Sequence, residues 1–526
     1  MLRRYLPPCL ILLLAIPMAD WLGGEWNWPG PSDARTLYER AQAGDLQSQC
    51  EWGWCLLWGV GVEPDPAAAV VWLQRSAERG HRAARWYLGR ALVFGDGGAA
   101  KNQKEGAQYL RLAAEDGHAE AACDYGWALK FGRGVDKDPD AAFPWFQRSA
   151  DAGVYNAFTP LGWCYQKGLG VKRDDRTALD WYLRAANHGV TVAQIRAAEF
   201  LISGRGGKRD AKRALYWIHR AIDAGSANAK AVLGQWLMMG RVLPRDETAG
   251  IRWFREAAAA GDSYAQEGLS IAYRDARGVE RDYAQAMEWA ERVDAKGDPS
   301  GKYLMGWLYE HGLGVETDYA RALELYRDAA EKDEARAMNA LGRMAEYARG
   351  QHEDKVEALG WYLRAAKAGN SVAMINLLRA YWGGWEGAPS AGEAVQWARK
   401  AEQGTNTEGP YWLGVLYAHG EGVPESDAEA LACFRRAAKQ GSARGQNAYA
   451  QRLLEGWGVK ANPPEAVEWF RKAAAQGHRG AWEELAELYR DGNGVPQDPA
   501  LATYYARGAA YVRSMPEIEP LNLFDY

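Results

Sequence analysis

Motifs that hold metal ions or catalyse reactions are scarce in this chain of 526 residues. It has six cysteines and eight histidines, and it contains neither a C-x-x-C pair nor an H-E-x-x-H motif. These absences exclude the common zinc-ligand sets. Basic residues are not in excess, because the net charge is −5 and the isoelectric point lies near 6.0, which argues against a large nucleic-acid-binding surface. The sequence therefore predicts no metal, no cofactor and no nucleic-acid partner.

The apolar run near the N-terminus is short, since residues 9–16 are followed by proline. A membrane-spanning helix needs roughly 20 apolar residues. Arg3 and Arg4 precede the run and small residues follow it, which is the order of a secretory signal. We predict that residues 1–19 are a signal peptide or a short membrane anchor that contacts the inner membrane, and that residues 20–32 are a linker. The expected location is the periplasm or the periplasmic side of the inner membrane; the alternative is the cytoplasm.

One pattern recurs thirteen times along the chain with a period of 36 residues and occasional slips to 35 or 37. Its clearest copy, residues 161–189, reads LGWCYQKGLGVKRDDRTALDWYLRAANHG. The closing residues of the copies are Gly44, Gly80, Gly117, Gly153, Gly189, Gly225, Gly261, Gly297, Asp333, Gly369, Gly404, Gly441 and Gly477. A fixed period of this size indicates a solenoid, in which each repeat contacts only its neighbours.

Each repeat predicts two helices joined by a tight turn. Positions 3 to 14 after the closing glycine carry apolar residues at helical spacing, and the small residue at position 9, such as Gly162, lets the second helix approach closely. A G-x-G-V motif then ends the first helix, because glycine adopts the left-handed conformation without strain. An acidic residue such as Asp138, Asp174 or Asp318 is expected to cap the second helix.

Tryptophan is unusually frequent, with 25 copies, and nine of them occupy position 28 of a repeat. Alanines at positions 25 and 32 share the helical face of this residue, and small beside large residues let two helices interlock. We predict that these nine tryptophans form the core: Trp72, Trp145, Trp181, Trp217, Trp253, Trp289, Trp361, Trp397 and Trp469. Cys433 takes the same position and is expected in the core, whereas Cys50, Cys55, Cys123 and Cys164 are either buried thiols or pairs between neighbouring repeats.

The Leu-Gly pair, the G-x-G-V turn, the Ala/Trp second helix and the closing Ala-Ala-x-x-Gly resemble the Sel-like repeat family, a relative of the tetratricopeptide repeat. The resemblance covers residues 33–510 and implies an all-α, right-handed α/α superhelix of about thirteen helix-turn-helix repeats. The G-x-G-V motif is incomplete in the second, fifth, sixth, ninth and tenth repeats, so looser or reshaped turns are expected there. Residues 511–526 depart from the pattern and are expected to cap the last repeat; the alternative is a peptide ligand for another protein.

The resemblance also implies a non-enzymatic scaffold that holds a protein partner in a concave groove lined by positions 3, 6, 10, 13 and 14 of the first helices. In the first four repeats aromatic residues occupy several of these positions. We predict six of them as partner-binding residues: Trp54, Trp58, Trp86, Trp127, Phe131 and Trp163. The alternative is that several of these rings pack between the first helices. Later repeats mix charged and aromatic residues at the same positions, as at Arg343, Tyr347, Arg379 and Trp382.

The expected partner is an envelope protein or a secreted effector, and a more specific version is an immunity protein that neutralises a toxic effector. The alternative from another class is a glycan or peptidoglycan ligand stacked on the tryptophans, with Arg90, Glu120 and Asn156 as hydrogen-bonding partners. An enzyme is not expected, because the chain contains no plausible Ser-x-x-Lys motif, and we predict no catalytic residue.

Overall fold

The computed structural model describes residues 31–240, 243–404 and 406–514. The predicted signal peptide or anchor (1–19), residues 20–30 of the predicted linker and residues 515–526 of the predicted cap lie outside these described residues. Within them the chain forms 27 α-helices, two short 3-10 helices (Asp96–Gly98 and Tyr155–Ala157) and no strand. The expectation of an all-α chain is confirmed.

The helices are numbered in chain order. The first fourteen are α1 (Pro31–Gln42), α2 (Leu46–Trp58), α3 (Pro66–Glu78), α4 (Arg82–Phe94), α5 (Gln103–Glu115), α6 (Ala119–Phe131), α7 (Phe143–Asp151), α8 (Phe158–Lys167), α9 (Asp175–Asn187), α10 (Thr191–Ser203), α11 (Ala211–Asp223), α12 (Ala227–Met239), α13 (Glu247–Ala259) and α14 (Ser263–Asp275). The others are α15 (Tyr283–Asp294), α16 (Pro299–His311), α17 (Tyr319–Glu331), α18 (Ala335–Glu346), α19 (Lys355–Lys367), α20 (Ser371–Trp382), α21 (Ala391–Gln403), α22 (Gly409–His419), α23 (Asp427–Gln440), α24 (Ala443–Glu455), α25 (Pro463–Ala475), α26 (Arg479–Asp491) and α27 (Pro499–Ser514).

Internal contacts divide the described chain into two units, whose boundary falls within α12. Within each unit a helix packs mainly against the next helix in the chain, as expected of a solenoid. Further contacts join alternate helices, such as α4 with α6 in the first unit and α14 with α16 in the second. From α2 onward the even-numbered helices are the first helices of the repeats, so side chains of neighbouring first helices meet on one face of each unit.

In seven repeats the ring at the centre of the helix pair is the residue at position 29, and in five of these it directly follows a position-28 tryptophan, so the predicted core position is wrong by one residue there. The buried rings at position 29 are Phe146, Tyr182, Phe254, Tyr326, Tyr362, Phe434 and Phe470, all at most 4% exposed. Of the nine tryptophans at position 28, only Trp217 and Trp397 are buried. Successive residues of a helix point about 100° apart, so the neighbour of a core residue lies at the edge of the interface.

An Arg or Lys three residues further on covers many of these half-buried tryptophans. The cation of Arg184 lies 4.4 Å from the ring centroid of Trp181, and that of Lys472 lies 3.9 Å from Trp469. Residues three apart are neighbours on a helix surface, and a cation over an indole face is attracted by its electrons. The position-28 ring is therefore shared between the core and a charged outer face.

The small residue at position 9 has the predicted role. A Cβ atom at Gly162 would lie 2.9 Å from the Tyr182 ring, and one at Gly342 would lie 2.5 Å from the Tyr362 ring. Both distances are too short for a real contact. Close packing of the two helices therefore depends on glycine in these repeats, whereas the fifth repeat has Ala198 at the same position.

Both glycines of the G-x-G-V turn adopt the left-handed conformation, and the second one also meets the preceding repeat. A Cβ atom at Gly170 would lie 2.3 Å from the carbonyl oxygen of Asp140, and the Gly170 amide donates to the Asp140 carboxylate at 2.6 Å. The turn is reshaped in the second repeat, where a 3-10 helix forms, and in the tenth. The fifth and ninth turns keep the ordinary conformation, with Ala348 left-handed in the ninth, so the expectation of reshaping is wrong there.

Polar side chains cap the helices much as predicted. Asp174 accepts hydrogen bonds from the first amides of α9, and Asp318 caps α17 in the same way. Asp138 instead accepts from the Ala141 amide in a turn, because α7 begins only at Phe143. The five cysteines that the structure describes, which include Cys433, are buried free thiols.

Candidate partner-binding surface

The six predicted partner-binding residues lie on four successive first helices of the first unit. Trp54 and Trp58 belong to α2, Trp86 to α4, Trp127 and Phe131 to α6, and Trp163 to α8. The structure brings three of them, Trp127, Phe131 and Trp163, together around one lysine.

That lysine is Lys130, whose ammonium lies among three aromatic rings. Its Nζ is 3.6 Å from the ring centroid of Trp163, 4.5 Å from that of Trp127 and 5.1 Å from that of Phe131. The rings of Trp127 and Phe131 are stacked, with centroids 5.5 Å apart and planes 5° from parallel. Burial among these rings lowers the pKa of the Lys130 ammonium. The attraction between cation and indole faces holds side chains of two repeats in one arrangement.

Arg133 extends this cluster toward the preceding repeat. Its guanidinium carbon lies 5.3 Å from the ring centroid of Phe131 and 5.3 Å from that of Phe94, near the end of α4. We call these six side chains the aromatic–cationic patch: Phe94, Trp127, Lys130, Phe131, Arg133 and Trp163. Phe131 is 51% exposed and Arg133 is also exposed, whereas Trp127 and Trp163 are half-buried against the core. The patch therefore presents the Phe131 ring and two cations to solvent, and these side chains pack on the half-buried rings of Trp127 and Trp163.

Trp86 is not part of an exposed surface, and the prediction for this residue is corrected. It is only 4% exposed, and its indole nitrogen donates a hydrogen bond of 2.7 Å to the carboxylate of Asp124. Its ring packs against Tyr87 and His118, with centroids 4.7 Å away in both cases. The carboxylate one repeat further on satisfies the indole N–H, and this allows the ring to be buried between repeats.

The two tryptophans of α2 are half-buried. Trp58 packs against the cluster that contains Leu56, Leu57 and Ala69. This packing between helices was the alternative for several of the predicted rings. Trp54 and Trp58 therefore offer less surface than Phe131.

Sequence reasoning overlooked the two cations of the patch. Lys130 follows Trp127 by three residues and occupies position 13, which faces the same surface, so the W-x-x-K spacing was an available signal. Its approach to Trp163 joins side chains 33 positions apart in two repeats. No periodicity within a single repeat reveals such a contact.

The described residues contain neither a metal-binding cluster nor a membrane-spanning helix. No group of three or more His, Cys, Asp or Glu side chains there is placed to hold a metal ion. None of the helices described is both long and apolar enough to cross a bilayer.

Consecutive helical hairpins, each packed on the next, place the chain in the class of helical-repeat solenoid proteins. The family model of the Sel1 repeat matches thirteen segments of this chain, and the chain belongs to that family. The matched residues are 46–81, 82–118, 119–154, 161–190, 191–226, 227–262, 263–292, 299–334, 335–370, 371–405, 410–442, 443–478 and 483–511. Sel1 repeat proteins generally act as non-enzymatic scaffolds that bind other proteins.

Among curated proteins, the chain is similar to chitin synthase regulatory factor 3 of Schizosaccharomyces pombe, with 28% identity over 162 residues. This match covers 26% of the chain and only 17% of that protein. Among solved structures, it is similar to c5321, a protective antigen of uropathogenic Escherichia coli, with 25% identity, 85% of this chain and 97% of the other covered, and a TM-score of 0.41. The immunity protein Pa5087 of Pseudomonas aeruginosa is 18% identical, with 57% and 87% covered and a TM-score of 0.24.

Proposed function

We propose that this chain is a scaffold of the bacterial envelope that holds a protein partner against the aromatic–cationic patch of its first unit. The observation that carries the proposal is the arrangement of Lys130, Phe131 and Arg133 over half-buried tryptophans. Aromatic and cationic side chains that are already ordered contribute contact area at little cost in conformational entropy. The positive charges favour a partner surface that carries carboxylates beside apolar groups.

A protein partner agrees with the patch better than a glycan does. Sugars stack on open indole faces, but Lys130 lies over the Trp163 ring at 3.6 Å. Arg90, one of the expected sugar-binding residues, is engaged with the carboxylates of Asp96 and Asp124 at 2.7 and 3.6 Å. A stacked glycan would have to displace the lysine and compete with these ion pairs.

The first experiment compares capture of envelope proteins by variants of the full chain. Phe131→Ala and Lys130→Glu alter exposed or half-exposed groups of the patch, and both are expected to reduce capture of the partner strongly, by about tenfold or more. Tyr216→Ala is the matched control, because Tyr216 is 54% exposed on α11, a second helix. Equal capture by the patch variants and the control would contradict the proposal, and so would binding of muropeptides that depends on Phe131.

The envelope location and the choice of partner extend the same proposal. We propose that residues 1–19 direct export and leave the repeats in the periplasm, in contact with or close to the inner membrane. The partner is then an envelope protein or a secreted effector, which the chain would neutralise if it acts as an immunity protein. Cell fractionation combined with N-terminal sequencing tests the location, and recovery in the cytoplasm with residues 1–19 intact would contradict it.

A further inference from the structure

A second charged cluster lies in the second unit, where two first helices bury one carboxylate each. Glu310 lies near the C-terminal end of α16, and Glu346 is the last residue of α18. Glu310 accepts a hydrogen bond of 2.7 Å from the hydroxyl of Tyr326, and Glu346 accepts one of 2.6 Å from Tyr362. Each tyrosine is the buried ring of the repeat that contains its glutamate. The hydrogen bonds therefore fix both carboxylates against the core.

Arginines of the following repeats reach these carboxylates. Arg349 and Arg343 lie 2.7 and 3.3 Å from the Glu310 oxygens, and Arg379 lies 3.2 Å from Glu346. Burial disfavours ionisation of Glu310, but Arg343, with help from the Tyr326 hydroxyl and Arg349, outweighs it and holds the pKa below its ordinary value. Glu310 is therefore ionised at neutral pH, and its ion pairs with Arg343 and Arg349 hold those side chains above it.

The surface formed by this cluster is cationic, although the cluster contains both signs of charge. The side chains of Glu310 and Glu346 are 0% and 7% exposed, whereas those of Arg343, Arg349 and Arg379 are 22%, 27% and 39% exposed. Three guanidinium groups therefore stand over two buried carboxylates. The solvent-facing side of the cluster is therefore formed by guanidinium groups, with the carboxylates below them.

Two exposed rings flank the arginines. Tyr347 is 41% exposed, and its hydroxyl lies 3.1 Å from the Arg379 guanidinium. Trp382, three residues after Arg379 on α20, is 46% exposed, and its ring packs against that of His419, with centroids 5.0 Å apart. Apolar contact and cationic contact are therefore available side by side on this face.

We infer that this arginine cluster binds an extended acidic segment of a partner protein, with carboxylates on the arginines and apolar side chains on Tyr347 and Trp382. Planar guanidinium groups match carboxylates geometrically, and groups already held in place lose little entropy on binding. Arg343 and Arg379 lie on first helices of successive repeats whose side chains meet directly, as Arg379 does with Glu346 at 3.2 Å. Because an extended chain advances about 3.3 Å per residue, carboxylates a few residues apart can reach both arginines. The inference rests on the proposed role as a protein scaffold, but it concerns a different surface.

The test titrates the full chain with two labelled synthetic peptides. One has glutamate at every third position with leucine and phenylalanine between, and the other has glutamine in place of each glutamate. The acidic peptide is expected to bind at least about tenfold more tightly, and Arg379→Gln is expected to remove about that factor. Arg379→Lys is expected to bind the acidic peptide more tightly than Arg379→Gln but less tightly than the original chain. Lysine keeps the positive charge but lacks the planar guanidinium group that matches a carboxylate.

Two further variants test whether a loss of peptide binding is specific to the arginine cluster. Arg490→Gln removes a highly exposed arginine of α26 and is expected to leave binding unchanged. If Arg379→Gln alters the thermal unfolding curve, Trp382→Ala, at an exposed position, replaces it and is expected to weaken binding of the acidic peptide severalfold. Equal affinity for the two peptides would overturn the inference. So would displacement of the acidic peptide by an equal concentration of inorganic phosphate, or unchanged binding of that peptide by a folded Arg379→Gln variant.

Binding by the patch variants and by the Arg379 variants distinguishes an error about the aromatic–cationic patch from an error about the arginine cluster. If the patch variants Phe131→Ala and Lys130→Glu capture the envelope partner normally while the peptide still requires Arg379, only the patch assignment is wrong. If the patch variants lose the partner and the peptide binds independently of Arg379, only the arginine cluster is wrong.

Discussion

Phe470 is the buried ring at the centre of the helix pair α24 and α25. Phe470 is 0% exposed and belongs to the same cluster as Tyr449, Leu453 and Leu485. The neighbouring Trp469 is half-buried, and Lys472 covers its outer face. Two adjacent aromatic residues of one helix therefore contribute unequally to stability, and the smaller ring contributes more.

Replacing Phe470 is expected to be more damaging than replacing Trp469. Phe470→Ala should lower the free energy of unfolding by about 3–5 kcal/mol, because it leaves a cavity in the core. Trp469→Ala should cost roughly half of that or less, since part of its ring already faces solvent. Urea unfolding followed by circular dichroism measures both changes. A greater loss of unfolding free energy for Trp469→Ala than for Phe470→Ala would show that the tryptophan is the main core residue.

A histidine caps the first helix of the last repeat, where it meets the preceding repeat. His478 accepts a hydrogen bond from the Ala481 amide at the start of α26, which requires an unprotonated ring nitrogen. Burial, together with Arg444, lowers its pKa below the ordinary 6.5, while Glu483 opposes the shift. Because the unfolded chain binds the proton more readily, stability is expected to fall as the pH drops below about 6.5.

Substitution by asparagine separates capping from titration at this position. Asn370 caps α20 by accepting a hydrogen bond of 2.8 Å from the Ala373 amide, so His478→Asn should keep the cap without taking up a proton. The variant is expected to lose stability less steeply than the original chain between neutral and mildly acidic pH. Urea midpoints measured across that range provide the comparison, and identical pH profiles would show that His478 does not contribute.

At the scale of the helix and its turn, the two glycines of G-x-G-V have different roles. Gly168 ends α8 in the left-handed conformation, and alanine takes the equivalent conformation at Ala276 and Ala348. Gly170 is also left-handed, but it lies against the backbone of the preceding repeat at Asp140. The first glycine serves mainly conformation, with Arg173 of its own turn 3.3 Å from where a Cβ atom would lie, and the second also serves contact between repeats.

Alanine substitutions should separate these roles. Gly168→Ala is expected to cost about 1–2 kcal/mol, the usual penalty for a left-handed residue with a Cβ atom. Gly170→Ala should cost clearly more, because the added methyl group would overlap the Asp140 carbonyl oxygen. Chemical denaturation of both variants gives the difference. Equal costs would mean that the contact with the preceding repeat is not tight.

Local signals made the helices, most turns and the family predictable from the sequence. Glycine at a helix end and aspartate at a helix start act within a few residues, as at Gly168 and Asp174. Periodicity did not separate position 28 from position 29, because residues three and four apart share one helical face. The burial of Trp86 by Asp124 and the approach of Lys130 to Trp163 join different repeats. Such contacts depend on how repeats stack, which the pattern of one repeat does not contain.

At the scale of the whole molecule, stability is the sum of contacts between neighbouring helices. A change in one repeat should therefore spread only to the helices beside it. Phe470→Ala is expected to increase hydrogen exchange in α24 to α27 and to leave protection in α4 to α9 unchanged. Exchange followed by mass spectrometry resolves these segments. Faster exchange throughout the chain would indicate one cooperative core instead of a solenoid.

Binding at the aromatic–cationic patch is tested most directly by photocrosslinking in the native cell. A photoreactive phenylalanine analogue replaces Phe131 in the patch in one variant and Tyr216 on a second helix in the other, and both positions are more than half exposed. A scaffold that holds its partner on the first helices should give a discrete crosslinked protein from position 131 and none from position 216. The same crosslinks from both positions, or none from position 131, would contradict a partner-binding role for this surface.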